Sequence, residues 1–220
     1  MLWALVPAKL GSAVKTRLGA TLTPVQRLDL AHAMLSDVLS ALHGVAALAG
    51  VAVITRDESV ATLAARHHAT PLHETPGGGL NDGVAEGVAG CLARGASGVV
   101  IVMGDLPTLS ATEVEVAIAT LPERGVVLVP SFDGTGTNML AMRPPDLLLP
   151  TRFGEASLAR HRAATAELHQ AERAAGAEPE QAEAVAAHHV AEAVAHGEAE
   201  GAVELDARDL GGGAPDGGLG

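Results

Sequence analysis

Aromatic side chains are nearly missing from this chain, with two Phe, one Trp and no Tyr among 220 residues. That scarcity argues against nucleic-acid modules that stack bases on Phe or Tyr. It also means that the interior must be built from Ala, Val and Leu, which suits helices packed on a parallel sheet. Cysteine is just as scarce. Cys91 stands alone inside a predicted helix, which excludes a disulfide framework and a cysteine metal cluster, and it reads as a small core residue. Long apolar runs are lacking too, so no segment is fit to span a bilayer. Residues 1–7 are too short, and lack the basic start, to be a signal peptide. A cytoplasmic location without a membrane partner is the expectation.

Positive charge is sparse, with only two lysines, Lys9 and Lys15, and a formal net charge of −12. The deficit is uneven. Residues 1–162 carry 12 Lys/Arg against 14 Asp/Glu, whereas 163–204 carry nine Glu and one Arg. The body of the chain can therefore receive a phosphorylated ligand, and nothing resembles a surface that tracks a nucleic-acid backbone.

What is present alternates in type. Short apolar runs at 2–6, 51–55, 99–103 and 126–129 read as buried strands, with a weaker one at Thr70-Pro71-Leu72 and another at 139–142. Between them lie helix signals. Thr23-Pro24-Val25-Gln26 and Ser110-Ala111-Thr112-Glu113 are capping boxes, opening helices to about Leu42 and Leu121. Asp57 caps a short helix to about His67, and residues 80–94 form a helix weakened by Gly83, Gly87 and Gly90. A last helix holds Arg160, His161 and Arg162. The alternation predicts βαβ units, a mainly parallel sheet and helices on both faces. An Ala/Glu-rich stretch at about 167–201 is expected to be an exposed helical or disordered insertion, and 211–220 a flexible tail. The histidines His188, His189 and His196 read as an incidental surface cluster.

Several segments carry groups able to do chemistry. Asp105 emerges from the 99–103 strand and is followed by Leu106-Pro107, which stops the strand. A carboxylate there is placed to hold Mg²⁺ against a nucleotide, although a turn aspartate has the same letters. After the first strand, Lys9, Lys15 and Arg17 put three cations within nine residues beside Gly11 and Ser12. That suits a triphosphate, without being a P-loop, and also suits a solvated basic loop. The segment from Glu74 through Gly77-Gly78-Gly79 to Asn81 lets backbone approach a flat base, with Asn81 able to bond base or ribose; a plain flexible loop explains it equally. Gly134-Thr135-Gly136-Thr137-Asn138 follows a strand but lacks the third glycine of a dinucleotide fingerprint. Thr137 and Asn138 can instead cradle a small acidic acceptor, helped by the backbone and hydroxyl of Gly154 and Ser157.

In this order the segments resemble the CofC/FbiD-like guanylyltransferases of coenzyme F(420) biosynthesis. The resemblance rests on Val6-Pro7-Ala8-Lys9 with Lys15-Thr16-Arg17-Leu18, on Leu80-Asn81 and on Gly104-Asp105-Leu106-Pro107. It rests further on Gly134-Thr135-Gly136-Thr137-Asn138, and on Phe153-Gly154-Glu155-Ala156-Ser157 with His161. It covers about residues 1–166. It implies a single-domain Rossmann-like nucleotidyltransferase fold over 1–210, Mg²⁺, and GTP with a phosphorylated three-carbon acid as substrates. By position it implies that Lys9, Lys15 and Arg17 contact the triphosphate, with Pro7, Glu74 and Asn81 around the nucleotide. Asp105 would ligate metal, and Thr137, Asn138, Gly154 and Ser157 would hold the acceptor. The family's late motif, Asp-x-Asp-Thr-x-x-Asp-Leu, is shortened here to Asp206-Ala207-Arg208-Asp209-Leu210, so Asp206 is the expected second metal ligand, with Asp209 the alternative. A homodimer and hand-over to the next pathway enzyme are further expectations. The competing readings are a nucleotidyltransferase directed at molybdopterin or a sugar phosphate, a degenerate nucleotide-binding protein, and, weakest, a nicotinamide oxidoreductase.

Overall fold

Every residue of the strand Gly98–Val102 is buried, as a strand covered by helices on both faces must be. It is β4 of an alternating series in the computed structural model, which describes residues 1–10, 18–174 and 183–185. The strands are β1 (Leu2–Pro7), β2 (Leu48–Thr55), β3 (Thr70–His73), β4, β5 (Gly125–Pro130), β6 (Thr137–Arg143) and β7 (Glu183–Val185). The helices are α1 (Pro24–His43), α2 (Glu58–Arg66), α3 (Leu80–Leu92), α4 (Ala111–Ala119) and α5 (Ser157–Ala174). The sheet order is β3-β2-β1-β4-β6-β5-β7. All pairings are parallel except those of β6, which runs against both β4 and β5.

The predicted caps form. The Thr23 hydroxyl accepts the Gln26 N–H at 3.3 Å while the Gln26 side chain accepts the Thr23 N–H at 3.0 Å, and Ser110 and Glu113 repeat the exchange. Asp57 accepts the Ser59 N–H at 3.0 Å. Each cap satisfies donors that a helix start leaves orphaned.

Alternation along the strands divides the core in two. Ala4, Val6, Val100 and Val102 pack with Leu35, Leu39, Val60 and Val114 from α1, α2 and α4. Leu5, Val99 and Ile101 pack with Val84, Val88 and Cys91 of α3 and with Phe153 and Leu158 on the other face. The glycines that weaken α3 as an isolated helix serve this packing. A Cβ on Gly87 would sit 2.6 Å from Leu5 Cδ1, and one on Gly90 would sit 2.6 Å from Leu72 Cδ1. Backbone against strand side chains replaces side chain against side chain, and α3 lies close to β1 and β2.

Two features exceed the sequence reading. β2 starts at Leu48, three residues before the expected Val51, extending its ladder with β1. Within the Ala/Glu-rich stretch, α5 runs to Ala174 and Glu183–Val185 pairs with β5 as a strand, where helix propensity alone pointed to helix. Residues 186–220, with the expected tail, lie outside the described residues.

Candidate active site

Parallel strands deliver their carboxyl ends to one edge of the sheet, and in α/β folds that edge is where ligands bind. Each of the first four strands here exits into residues with chemistry: Pro7 to Lys9 after β1, Arg56 after β2, Glu74 after β3, and Gly104-Asp105 after β4. Because β6 is reversed, its amino end, Thr137 and Asn138, arrives at the same edge. The Met103 N–H donates to the Asn138 carbonyl at 3.2 Å, fixing that end beside Asp105.

Between these exits is a cleft of about 240 Å³, lined by residues 7–10, by Met103, Gly104 and Asp105, and by Leu80, Ala31 and Leu35. It brings the expected Pro7, Lys9 and Asp105 together. Asp105 is exposed, as an acid serving a ligand should be. Lys9 is only a third exposed, and its ammonium lies 2.5 Å from Glu74 Oε1, with Arg56 Nη2 at 3.8 Å. Glu74 is 1% exposed, so this is a buried carboxylate held by two cations whose side chains are partly exposed. The ladder places them: Ala8 N–H donates to the Ile54 carbonyl, and Glu74 N–H to the Thr55 carbonyl. Arg56 carries no role in the sequence reading, although its position just past a strand end is the signal that singled out Asp105.

The Asn81 side chain is engaged by the loop that follows β6. Its carbonyl accepts the Thr151 hydroxyl at 2.9 Å and the Phe153 N–H at 2.8 Å, and its amide donates to the Phe153 carbonyl at 3.1 Å. The side chain braces the 151–153 loop from the first turn of α3.

Two of the expected acceptor residues, Thr137 and Ser157, form a second, buried cluster with His161. The Thr137 N–H donates to Ser157 Oγ at 2.8 Å, and the two hydroxyl oxygens are 3.3 Å apart. Thr137 Oγ1 is 3.0 Å from His161 Nδ1, and the Arg152 N–H donates to His161 Nε2 at 2.8 Å. Burial, with the Arg160 and Arg152 cations adding to it, pulls the His161 pKa down to about 4, so the imidazole is neutral at physiological pH. Phe153 meets the imidazole edge-on at 4.8 Å. Gly154, exposed beside this cluster, has φ +117°, a conformation that costs a side-chain-bearing residue dearly. Asn138 lines a smaller hollow of about 80 Å³ with Leu106 and Glu113.

The Gly134-x-Gly136 segment opens no helix. It is the turn of the β5–β6 hairpin, with Gly134 at φ +69°, which removes the dinucleotide reading. Asp133 organises that turn by accepting the Ser131 hydroxyl at 2.6 Å and the Thr135 N–H and hydroxyl at 3.1 and 3.0 Å. These bonds, led by that from Ser131, hold its carboxyl down at about 2. Lys15, Arg17, Asp206 and Asp209 lie outside the described residues. Among the described residues no helix is long and apolar enough to cross a membrane, and no group of three acids, histidines or cysteines is gathered to hold a metal ion.

A family model described as guanylyl transferase CofC like matches residues 2–172. The phosphoenolpyruvate guanylyltransferase of Sphaerobacter thermophilus is 42% identical over 160 residues, covering 73% of this chain and 76% of that protein. The 3-phospho-D-glycerate guanylyltransferase of Phenylobacterium zucineum is 36% identical over 162 residues, covering 72% and 74%. A solved chain from Desulfovibrio desulfuricans G20, described as a nucleotide-diphospho-sugar transferase, superposes with a TM-score of 0.60 at 21% identity, covering 80% of this chain and 77% of its own. That likeness shows a shared fold.

Proposed function

The chain belongs to the CofC-like guanylyl transferase family, and from that premise we propose that it transfers GMP from GTP to the phosphate of phosphoenolpyruvate or 2-phospho-L-lactate. Pyrophosphate is released, and the product serves coenzyme F(420) biosynthesis in the cytoplasm. The observation that carries this reading is the cleft in which Lys9 and Asp105 converge from adjacent strand ends, beside Asn138 at the start of β6. A homodimeric state and hand-over of the product to the next enzyme belong to the same reading.

An oxygen of the acceptor phosphate forms a bond to the α-phosphorus of GTP as the α–β bridging bond breaks, in line. The phosphate is ionised at neutral pH, so no residue need act as general base. The charge problem is the repulsion of two anions, and the residues meet it with opposite charge. Lys9, together with Lys15 and Arg17, binds the triphosphate and stabilises the departing pyrophosphate. Asp105 is an exposed oxygen donor, and Mg²⁺ is commonly held by one or two carboxylates plus substrate phosphates, so the residue fits the ion, with Asp206 as the second carboxylate. When bound, Mg²⁺ neutralises charge on the reacting phosphates. Thr137, Gly154 and Ser157 hold the acceptor's carboxylate through hydroxyl and backbone donors.

The test is a pyrophosphate-release assay with Mg²⁺ that crosses GTP, ATP and CTP with phosphoenolpyruvate, 2-phospho-L-lactate and 3-phosphoglycerate. The expected result is turnover with GTP and phosphoenolpyruvate above all other pairs. Turnover with a different nucleotide, or none with any acceptor, refutes the reading.

A further inference from the structure

The Thr137–Ser157–His161 cluster has a proton count with a consequence. His161 is fully buried, and its Nε2 accepts the Arg152 N–H at 2.8 Å, so Nε2 carries no proton. A neutral imidazole must then carry its proton on Nδ1, which faces Thr137 Oγ1 at 3.0 Å and donates to it. Ser157 Oγ already accepts the Thr137 N–H. One proton can lie between the two hydroxyl oxygens, 3.3 Å apart, and the second hydroxyl proton has no acceptor among the described residues. Thr137 and Ser157 are 5% and 2% exposed, where an unused donor is costly.

We propose that His161 is a positioning residue that fixes the polarity of this cluster, so that Thr137 and Ser157 together present one O–H donor to an anionic oxygen of the acceptor. Were the proton on Nε2 instead, Nδ1 would accept the Thr137 hydroxyl and the cluster would close on itself. The Nδ1–H tautomer turns a self-satisfied network into a donor site. The Arg152 amide sets the tautomer, His161 passes the direction on, and Thr137 and Ser157 express it. A hydroxyl donor there bonds an ionised carboxylate more strongly than a neutral carbonyl at that place. This inference rests on the reading that Thr137 and Ser157 hold the acceptor.

Two measurements test it together. Nitrogen-15 NMR of the full chain should show His161 as the neutral Nδ1–H tautomer, unchanged between pH 5.5 and 8; an Nε2–H tautomer or an imidazolium in that range overturns the proposal. In steady-state kinetics, His161→Asn keeps an amide donor near the Nδ1 position, and His161→Gln moves it toward Nε2. The KM for the acceptor should rise at least about tenfold in His161→Gln and stay within about threefold in His161→Asn, with the KM for GTP unmoved in both. Equal effects on the two substrates, or an unmoved acceptor KM in His161→Gln, overturn it, as does failure of His161→Asn to rescue. Thermal unfolding identifies a variant that fails to fold, in which case the tautomer measurement decides. If the wild-type protein turns over no acceptor, the functional reading falls and takes this inference with it. If it turns over normally while the variants behave alike, the inference alone falls.

Discussion

Two groups of polar residues stand side by side at one edge of the sheet and are built on opposite principles. The cleft after β1 and β4 holds charge at the surface, with Asp105 exposed and Lys9 and Arg56 reaching over the buried Glu74. The cluster after β6 holds neutral groups, where Thr137, Ser157, His161, Asn81 and Thr151 bond one another and nearby backbone and leave one hydroxyl proton over. The direction of the strands separates them. Parallel strands deliver carboxyl ends, followed by loops that can carry long charged side chains into solvent. The reversed β6 delivers an amino end, whose first residue is already in the ladder with β5 and bonded to the start of α5. The difference teaches that the cleft keeps its charges ready for a ligand over one buried carboxylate, whereas the cluster couples stability to binding.

The largest expected effect lies in the cleft. Asp105→Ala should cut pyrophosphate release at least about a hundredfold. Urea denaturation beside the assay shows that the variant is folded, and full turnover by the folded variant would break the contrast. Next comes the pH dependence of the cluster. His161 titrates near 4 in the folded chain against 6.5 unfolded, so between those values the unfolded chain binds the extra proton. Its contribution is therefore complete above about pH 6.5 and is lost as pH falls toward 4, by up to about 3 kcal/mol. The difference in unfolding free energy between wild type and His161→Asn, measured at pH 7 and pH 5, should shrink at the lower pH; a constant difference contradicts the assignment.

A third expectation sharpens the boundary between the regions. Asn81→Ala leaves the Phe153 N–H without its acceptor and should cost about 2 kcal/mol of stability, while raising the KM for the acceptor more than that for GTP. The opposite order of KM effects would return Asn81 to the nucleotide. A smaller effect comes from the ion pair. Lys9→Ala should raise the KM for GTP and lower stability by about 1 kcal/mol, because Arg56 at 3.8 Å compensates Glu74 only in part. Adding Glu74→Gln should recover the stability and not the KM, as thermal unfolding with kinetics will show. Smallest of all, Phe132→Ser at the 96% exposed hairpin tip should leave the unfolding free energy within about 0.5 kcal/mol.

The sequence made the strands, the caps and the place of Asp105 at a strand end legible because each depends on neighbours in the chain: an apolar run, a Ser or Thr three places before Glu or Gln, an acid before Leu-Pro. The expected strand at 139–142 was found, but its reversal was not, since direction within a sheet follows from the short β5–β6 hairpin rather than from the strand's own residues. Asn81 reads as well for a base ligand as for a loop residue, and the partners it has in the fold, Thr151 and Phe153, lie some 70 positions away. His161 entered only through a resemblance of motif. Its partners come from β6 and from the 152 backbone, and no local pattern could have placed a buried imidazole between them. The resemblance groups Glu74 with the nucleotide, and its burial under Lys9 and Arg56 follows from three separate strand ends meeting.

The central claim is that Lys9 and Asp105 take opposite ends of one task, the cation on the triphosphate and the acid on the metal. The most direct measurement is a crystal structure of the full chain with Mg²⁺ and a GTP analogue that cannot be cleaved at its α-phosphate. The account predicts the metal at about 2.1 Å from an Asp105 carboxylate oxygen and the triphosphate within hydrogen-bond reach of Lys9. A nucleotide bound elsewhere, with Asp105 and Lys9 making no contact to metal or phosphate, would contradict it.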